Sequence, residues 1–263
     1  MIVTKLQGGL ANQLFQWAYG KSLSEKYNTP LYLDLNLYTD KHIGDTRRDY
    51  SLIKFPNFSN SPLTDKSLLI GKGLRTLRDN FIFSDINYDD NLNYYLDGYW
   101  QSEKYFKEFE SVIKEELKPN QTILDKLNKT PNIDKNVVSM HIRRTDYVSS
   151  NGFHPVQSIE YYQKALDIIS DYDYIFVFSD DIKWCKENLK FENMVFMEGF
   201  DDVEDLWLMS MCKNNIIANS SFSWWGSWLN SNPDKKVIAP SNWFGERANL
   251  NTSDIIPSEW IKI

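Results

Sequence analysis

The chain has 263 residues, with 29 Lys and Arg against 36 Asp and Glu and hence a formal charge of −7. Hydrophobic residues make up 42% and charged residues 25%, which describes a folded globular protein of one large domain or two modest ones. The acidic balance, with no Lys/Arg block, excludes the basic footprint of a nucleic-acid binder, and no apolar run reaches the ~18–20 residues of a membrane span. Residues 1–6 carry neither a charged leader nor a long apolar region, so they read as a strand and not as a signal peptide. That strand, the tight turn Gly8-Gly9, a helix over 12–27 with Leu14, Phe15, Ala18, Tyr19 and Leu23 on one face, and a strand at 31–33 make a βαβ unit. Residues 40–98 mix Asp, Asn, Arg and Tyr with weak periodicity, which predicts loops and short helices. Their one clear apolar stretch, 68–70, is broken by Gly71 and Gly73. Helical spacing of Tyr105, Phe106, Phe109, Val112, Ile113 and Leu117 predicts a helix over 102–117.

The polar stretch 119–135 marks a domain boundary, giving lobes of 1–132 and 133–263. Beyond it, apolar runs at 137–142, 174–178, 194–196, 215–218 and 237–239 alternate with helical patterns at 158–169, 181–189, 202–212 and 223–229. Such alternation predicts an α/β lobe built on a doubly wound parallel sheet, whose ligands bind at the carboxyl ends of the strands. Two isolated cysteines, Cys185 and Cys212, form no disulfide framework and fit a reducing, cytoplasmic setting. With only His42, His141 and His154 besides, no zinc pattern exists. The 15 Phe, 15 Tyr and 9 Trp exceed the needs of an ordinary core. They fit either a Trp-filled core with a Tyr-rich surface or a protein that stacks on sugars or bases.

Four segments carry chemistry. In Gln7-Gly8-Gly9-Leu10-Ala11-Asn12-Gln13 the paired glycines admit a ligand close to the backbone, or make only a turn with Asn12 as helix cap. His141-Ile142-Arg143-Arg144-Thr145-Asp146 ends a buried strand with charges that either meet a ligand, since arginine suits phosphate oxygens, or make only a surface Arg–Asp ion pair. Asn219-Ser220-Ser221-Phe222-Ser223 leads from a strand into a helix whose N–H groups and hydroxyls suit a phosphate. Trp224, Trp225 and Trp228, which follow, read as packing residues. In Ser179-Asp180-Asp181 a carboxylate accepts hydrogen bonds from a base or ribose, or else Asp180 or Asp181 caps a helix.

Together with Gly98-Tyr99-Trp100-Gln101-Ser102, three of these segments, the first continued to Gln16, the second at 141–146 and the third continued to Gly226, resemble the bacterial α-1,2-fucosyltransferases of glycosyltransferase family 11, over nearly the whole chain. Thr145 stands where relatives often carry Gly. The resemblance implies a two-lobed GT-B-like fold and inverting transfer of L-fucose from GDP-β-L-fucose to the 2-hydroxyl of a terminal galactose in surface-glycan synthesis. It also implies catalysis without a metal or other cofactor, so that arginines and helix N-termini neutralise the departing GDP. The setting it implies is cytoplasmic, peripheral at the inner membrane face where lipid-linked glycans are built. By resemblance Arg144, with Arg143, clamps the diphosphate and His141 orients the nucleotide or phosphate. Ser220, Ser221 and Phe222 form the phosphate loop, Asp180 reads the guanine or ribose, and Gly9 and Asn12 close the donor site from the other lobe. Asp146 is either a base at the acceptor hydroxyl or an orienter of the arginines; beside two arginines it is a weak base, which favours the second role. Tyr99, Trp100 and the Tyr-rich stretch 88–99 are the acceptor-side expectation. The rivals are transfer from another GDP-sugar, such as GDP-mannose, and a non-catalytic glycan- or nucleotide-sugar-binding module.

Overall fold

Two sheets, each parallel throughout, organise the chain. The computed structural model describes residues 1–39, 48–64, 73–150 and 152–263. The apolar stretch 68–70, Gly71 and His42 lie outside the described residues.

Unit 1 comprises residues 1–118 and 251–257. Its strands β1 (Ile2–Lys5), β2 (Leu31–Asp34), β3 (Gly73–Arg78) and β4 (Leu92–Asp97) lie in the order β2-β1-β4-β3. Helix α1 (Leu10–Lys26) follows β1, and the short α2 (Asn36–Thr39) follows β2. α1 is buried on most of its circumference, glutamines included, because it is the central helix on this sheet. A side chain at Gly20 would collide with Thr4 Oγ1, so glycine there lets helix and strand approach closely. The predicted helix over 102–117 is instead two 3₁₀ turns (Glu103–Tyr105 and Lys107–Phe109) and α3 (Glu110–Glu116). Phe106 is the breaking point, with non-helical backbone angles (φ −144°, ψ 2°) and a ring buried in the core.

The stretch 73–97, expected as loop, holds β3 and the central strand β4. Tyr94 is fully buried, Tyr95 donates to Asp34 Oδ2 (2.6 Å), and Tyr88 stacks between Tyr27 (3.9 Å) and Tyr94 (5.1 Å). Tyr94 and Tyr95 are therefore strand residues, Tyr94 in the core, and Tyr88 is a half-buried loop residue stacked on Tyr27 and Tyr94.

Unit 2 comprises residues 119–250 and 258–263. The division falls at Lys118/Pro119, earlier than the expected boundary between 132 and 133. The reason is α4 (Gln121–Leu127), which an ion pair from Lys126 to Glu204 ties into unit 2. Residues 251–257 return to unit 1, where Asp254 accepts from the Phe83 amide (2.9 Å) and pairs with Lys104.

The strands of unit 2 are β5 (Val137–Ile142), β6 (Tyr174–Ser179), β7 (Met194–Phe196), β8 (Asn214–Ile216), β9 (Val237–Ala239) and β10 (Ile261–Lys262). Their order, β10-β9-β8-β5-β6-β7, is doubly wound as expected: the chain runs outward from β5 to β7, then returns to β5's other side at β8. The helices are α5 (Thr145–Val148), α6 (Ile159–Ile169), α7 (Ile182–Asn188), α8 (Asp202–Met211) and α9 (Ser221–Leu229). Side-chain caps fix helix starts: Asn120 for α4, Ser158 for α6, Asp181 for α7, an Asp201/Glu204 capping box for α8 and Ser220 for α9. Trp224, Trp225 and Trp228 are buried and pack together, with Trp260 against Trp224 (5.5 Å), as their packing role predicts. No helix among the described residues is long and apolar enough to cross a membrane.

Candidate active site

The crevice of a doubly wound sheet opens where the strand order reverses, here between β5 and β8. β5 delivers His141 to that point, and the turn after β8 delivers residues 219–223. His141 is 4% exposed and its Nδ1 lies 2.9 Å from Ser223 Oγ, a hydrogen bond that spans the switch point. Its ring leans on Phe222 (5.6 Å), and its carbonyl accepts from the buried Tyr162 hydroxyl (3.1 Å). Burial, with Arg143 nearby, pushes the His141 pKa down to about 3, so the imidazole is neutral at physiological pH. Ser220 caps α9 by accepting from the Phe222 amide (3.3 Å), and Ser221 opens the helix.

Next along β5, the two arginines are fixed differently. Arg143 bridges two carboxylates, through Nη2 to Asp146 Oδ1 (2.8 Å) and Nη1 to Asp180 Oδ2 (3.2 Å). Arg144 lays its guanidinium on the Trp184 ring (3.7 Å to the centroid), with Nε at 3.5 Å from Asp181 Oδ2. Its two terminal nitrogens form no hydrogen bond among the described residues.

Asp180 is occupied from within. Oδ1 accepts from the Arg144 amide (2.9 Å), while Oδ2 accepts from the Thr145 amide (3.2 Å), the Thr145 hydroxyl and Arg143. It fastens the loop after β5 to the start of α5, a structural duty beside the expected reading of a guanine or ribose. Thr145, the first residue of α5, supplies two of the donors, its amide and its hydroxyl.

Asn219 links the surrounding loops, a role that sequence reasoning missed. Its carbonyl accepts from Tyr147 (2.9 Å), its Oδ1 from Gln157 (3.0 Å), and its Nδ2 donates to the Trp243 carbonyl (2.9 Å). Asp181 and Trp184 were also missed as site residues. Their signal is the three-residue spacing of a cap and the residue it bonds: Asp181 Oδ1 accepts from the Trp184 amide (3.1 Å).

Unit 1 has its own switch point, between β1 and β4. Gly8 takes a left-handed conformation (φ +79°), and Gly9 is the α1 N-cap. Two fully buried glutamines hold this turn. Gln13 donates to the carbonyls of Gly8 (3.0 Å) and Asp49 (2.9 Å), and Gln16 pairs with both backbone groups of Gln7 (2.9 and 3.2 Å). Asn12 Oδ1 accepts from Gln101 Nε2 (3.0 Å), joining the turns that leave β1 and β4. Tyr99 is half-buried. Trp100 is not on a surface: it is 4% exposed and packs against Tyr19 (4.8 Å) and Tyr105 (5.3 Å), which removes it from the acceptor side.

The structure thus gathers His141, Arg143, Arg144, Asp146, Asp180, Ser220, Ser221 and Phe222 at the carboxyl edge of unit 2, and places Gly9, Asn12 and Tyr99 in unit 1. Two parallel-sheet α/β units, one presenting arginines and a helix start at its switch point, define the GT-B-like class of α/β protein. The family described as Glycosyl transferase family 11 matches residues 67–263, and the chain belongs to it. The chain is 35% identical to an alpha-1,2-colitosyltransferase of Escherichia coli, covering 100% of this chain and 99% of that one. It is 32% identical to the O-antigen biosynthesis glycosyltransferase WbnK of Escherichia coli, covering 98% and 99%. A galactoside 2-alpha-L-fucosyltransferase of Caenorhabditis elegans is 31% identical over 52% of this chain and 43% of its own length. In fold, the chain is similar to POFUT1 in complex with GDP-fucose (TM-score 0.54, 13% identity, covering 90% of this chain and 97% of that one).

Proposed function

We propose that this glycosyltransferase moves L-fucose from GDP-β-L-fucose to the 2-hydroxyl of a terminal galactose, with inversion, in the synthesis of a surface glycan. The observation that carries the reading is Arg144: a guanidinium with unengaged terminal donors, fixed just beyond the carboxyl end of β5 in a doubly wound sheet. A diphosphate suits those planar donors, and the α9 start with Ser220 and Ser221 offers further ones.

In this reading the acceptor oxygen bonds to the anomeric carbon opposite GDP as the bond from that carbon to the β-phosphate oxygen breaks. The configuration passes from β to α, and the acceptor hydroxyl proton is released. Negative charge grows on the departing GDP, and Arg144 with Arg143 stabilises it in place of a metal ion. Neutral His141 orients the nucleotide or its phosphates. Asp146, already bonded to Arg143, serves as its orienter. In unit 1 the reading assigns donor binding to Gly9 and Asn12 and acceptor binding to Tyr99. The work would be done in the cytoplasm, with the enzyme peripheral at the membrane face where lipid-linked glycans are built.

A second donor is favoured by one observation, the 35% identity to the alpha-1,2-colitosyltransferase over the full chain. Colitose lacks the 3-hydroxyl of fucose, so a site that hydrogen-bonds that hydroxyl discriminates strongly against it. The deciding measurement is turnover of GDP-fucose, GDP-colitose and GDP-mannose with lactose, N-acetyllactosamine and galactose-β-1,3-linked acceptors, followed by linkage analysis. The expected product is α-1,2-fucosylated galactoside. Preference for GDP-colitose replaces the donor in this reading, and no product with any galactoside overturns it.

A further inference from the structure

We propose that Trp184 is a positioning residue for the transfer, acting through Arg144; this rests on the reading of Arg144 as the diphosphate clamp. The first turn of α7 holds Arg144 on three sides. The indole of Trp184 covers one face of the guanidinium at 3.7 Å, Asp181 Oδ2 meets its Nε edge at 3.5 Å, and Asp180, just before the turn, holds the Arg144 amide at 2.9 Å. The turn is itself locked, because Asp181 uses its other oxygen to accept from the Trp184 amide and its own amide donates to Ser179 Oγ (3.0 Å).

An arginine side chain surrenders rotamer freedom when a ligand fixes it. Here the stack and the Nε contact fix the plane beforehand and leave both terminal nitrogens for phosphate oxygens. Trp184 is half-buried and belongs to no core cluster as a central member; it flanks the core, and its ring meets Arg144. A flat aromatic face is what the guanidinium requires, since stacking needs a planar π surface and aliphatic bulk does not replace it.

The test is a double-mutant cycle on the full chain, reading equilibrium affinity for GDP by calorimetry alongside thermal melting. Trp184→Leu is expected to weaken GDP binding about tenfold, and Trp184→Phe, which keeps a flat ring, to hold it within about threefold. In the Arg144→Ala background, Trp184→Leu is expected to cost less than about twofold more, because nothing remains for the ring to position. If the Leu variant does not fold, Trp184→Gln at this half-exposed position carries the same cycle. An equal loss from Trp184→Leu in both backgrounds, or a loss below about twofold in the native one, overturns the inference and leaves the clamp standing. GDP affinity unchanged by Arg144→Ala overturns the clamp, and the role of Trp184 with it.

Discussion

Arg143 and Arg144 are neighbours in sequence, yet the structure gives them different work. Arg143 has both terminal nitrogens engaged by Asp146 and Asp180, so contact with a phosphate means exchanging a carboxylate partner. Arg144 needs no exchange. Arg144→Ala is therefore expected to cost ~10²–10³-fold in kcat/KM, the loss typical of one transition-state donor. Arg144→Lys is expected to recover less than about tenfold of it, because an ammonium neither stacks on Trp184 nor offers paired donors. Steady-state kinetics with GDP-fucose check both. His141 sets a pH dependence of another kind. Its folded pKa of about 3 lies below the ordinary 6.5, so the unfolded chain binds the proton more readily. The stability this group contributes is full above about pH 6.5 and is lost as pH falls toward 3, at up to ~1.4 kcal/mol per pH unit. Melting temperatures from pH 7 to 4 are expected to fall less steeply in His141→Gln; an identical slope excludes His141 as the cause.

At the scale of elements, the turn from β1 into α1 separates two glycines that look alike in the sequence. A side chain at Gly8 meets Asn12 Nδ2 at 2.8 Å, and its φ of +79° disfavours any other residue. Gly8→Ala is thus expected to destabilise by ~1–2 kcal/mol in urea unfolding, disturbing the Asn12–Gln101 bond as well. At Gly9 an added Cβ meets nothing within 4 Å and φ is −79°. Gly9→Ala is expected to leave stability within ~0.5 kcal/mol and to raise KM for the donor, since only a ligand approaching that backbone is excluded. Unchanged KM removes Gly9 from the donor-binding residues.

The same turn shows where the sequence was readable. The apolar face of α1 and the strands β5, β6, β8 and β9 were legible because each is a run of mostly buried side chains bounded by polar breaks, and β7 as a short apolar run that is half-buried. Gln13 and Gln16 were not, since their value lies in partners at 7, 8, 49 and 51 that no local pattern exposes. β3 and β4 escaped for a related reason. β3 is an edge strand exposed along most of its length, and β4 buries Asn93 and Tyr94 where a hydrophobic pattern expects aliphatics. In the site, Arg144 and His141 were legible as chemistry. The partners of Asp180 were not, because they meet only when β5 and β6 lie side by side.

The molecule as a whole carries a charge of −7, yet the reaction proposed for it sheds an anion, GDP. Net charge is not what meets that anion. The carboxylates nearest the arginines, Asp146, Asp180 and Asp181, are themselves bound to guanidiniums, backbone amides or hydroxyls, so they hold the cations in place without filling the terminal donors of Arg144. Both sheets contribute in the same way, each by a hydrogen bond across its own switch point: His141 to Ser223 in unit 2 and Gln101 to Asn12 in unit 1. In the reaction proposed here, fixed guanidiniums and a helix start facing the diphosphate supply the charge that a divalent ion would otherwise bring. Turnover of GDP-fucose in excess EDTA is therefore expected to stay within about twofold of the untreated rate, while Arg144→Ala remains inactive when Mg²⁺ or Mn²⁺ is added. Loss of activity in EDTA that either ion restores would assign the leaving-group charge to a metal and return Arg144 to a supporting role.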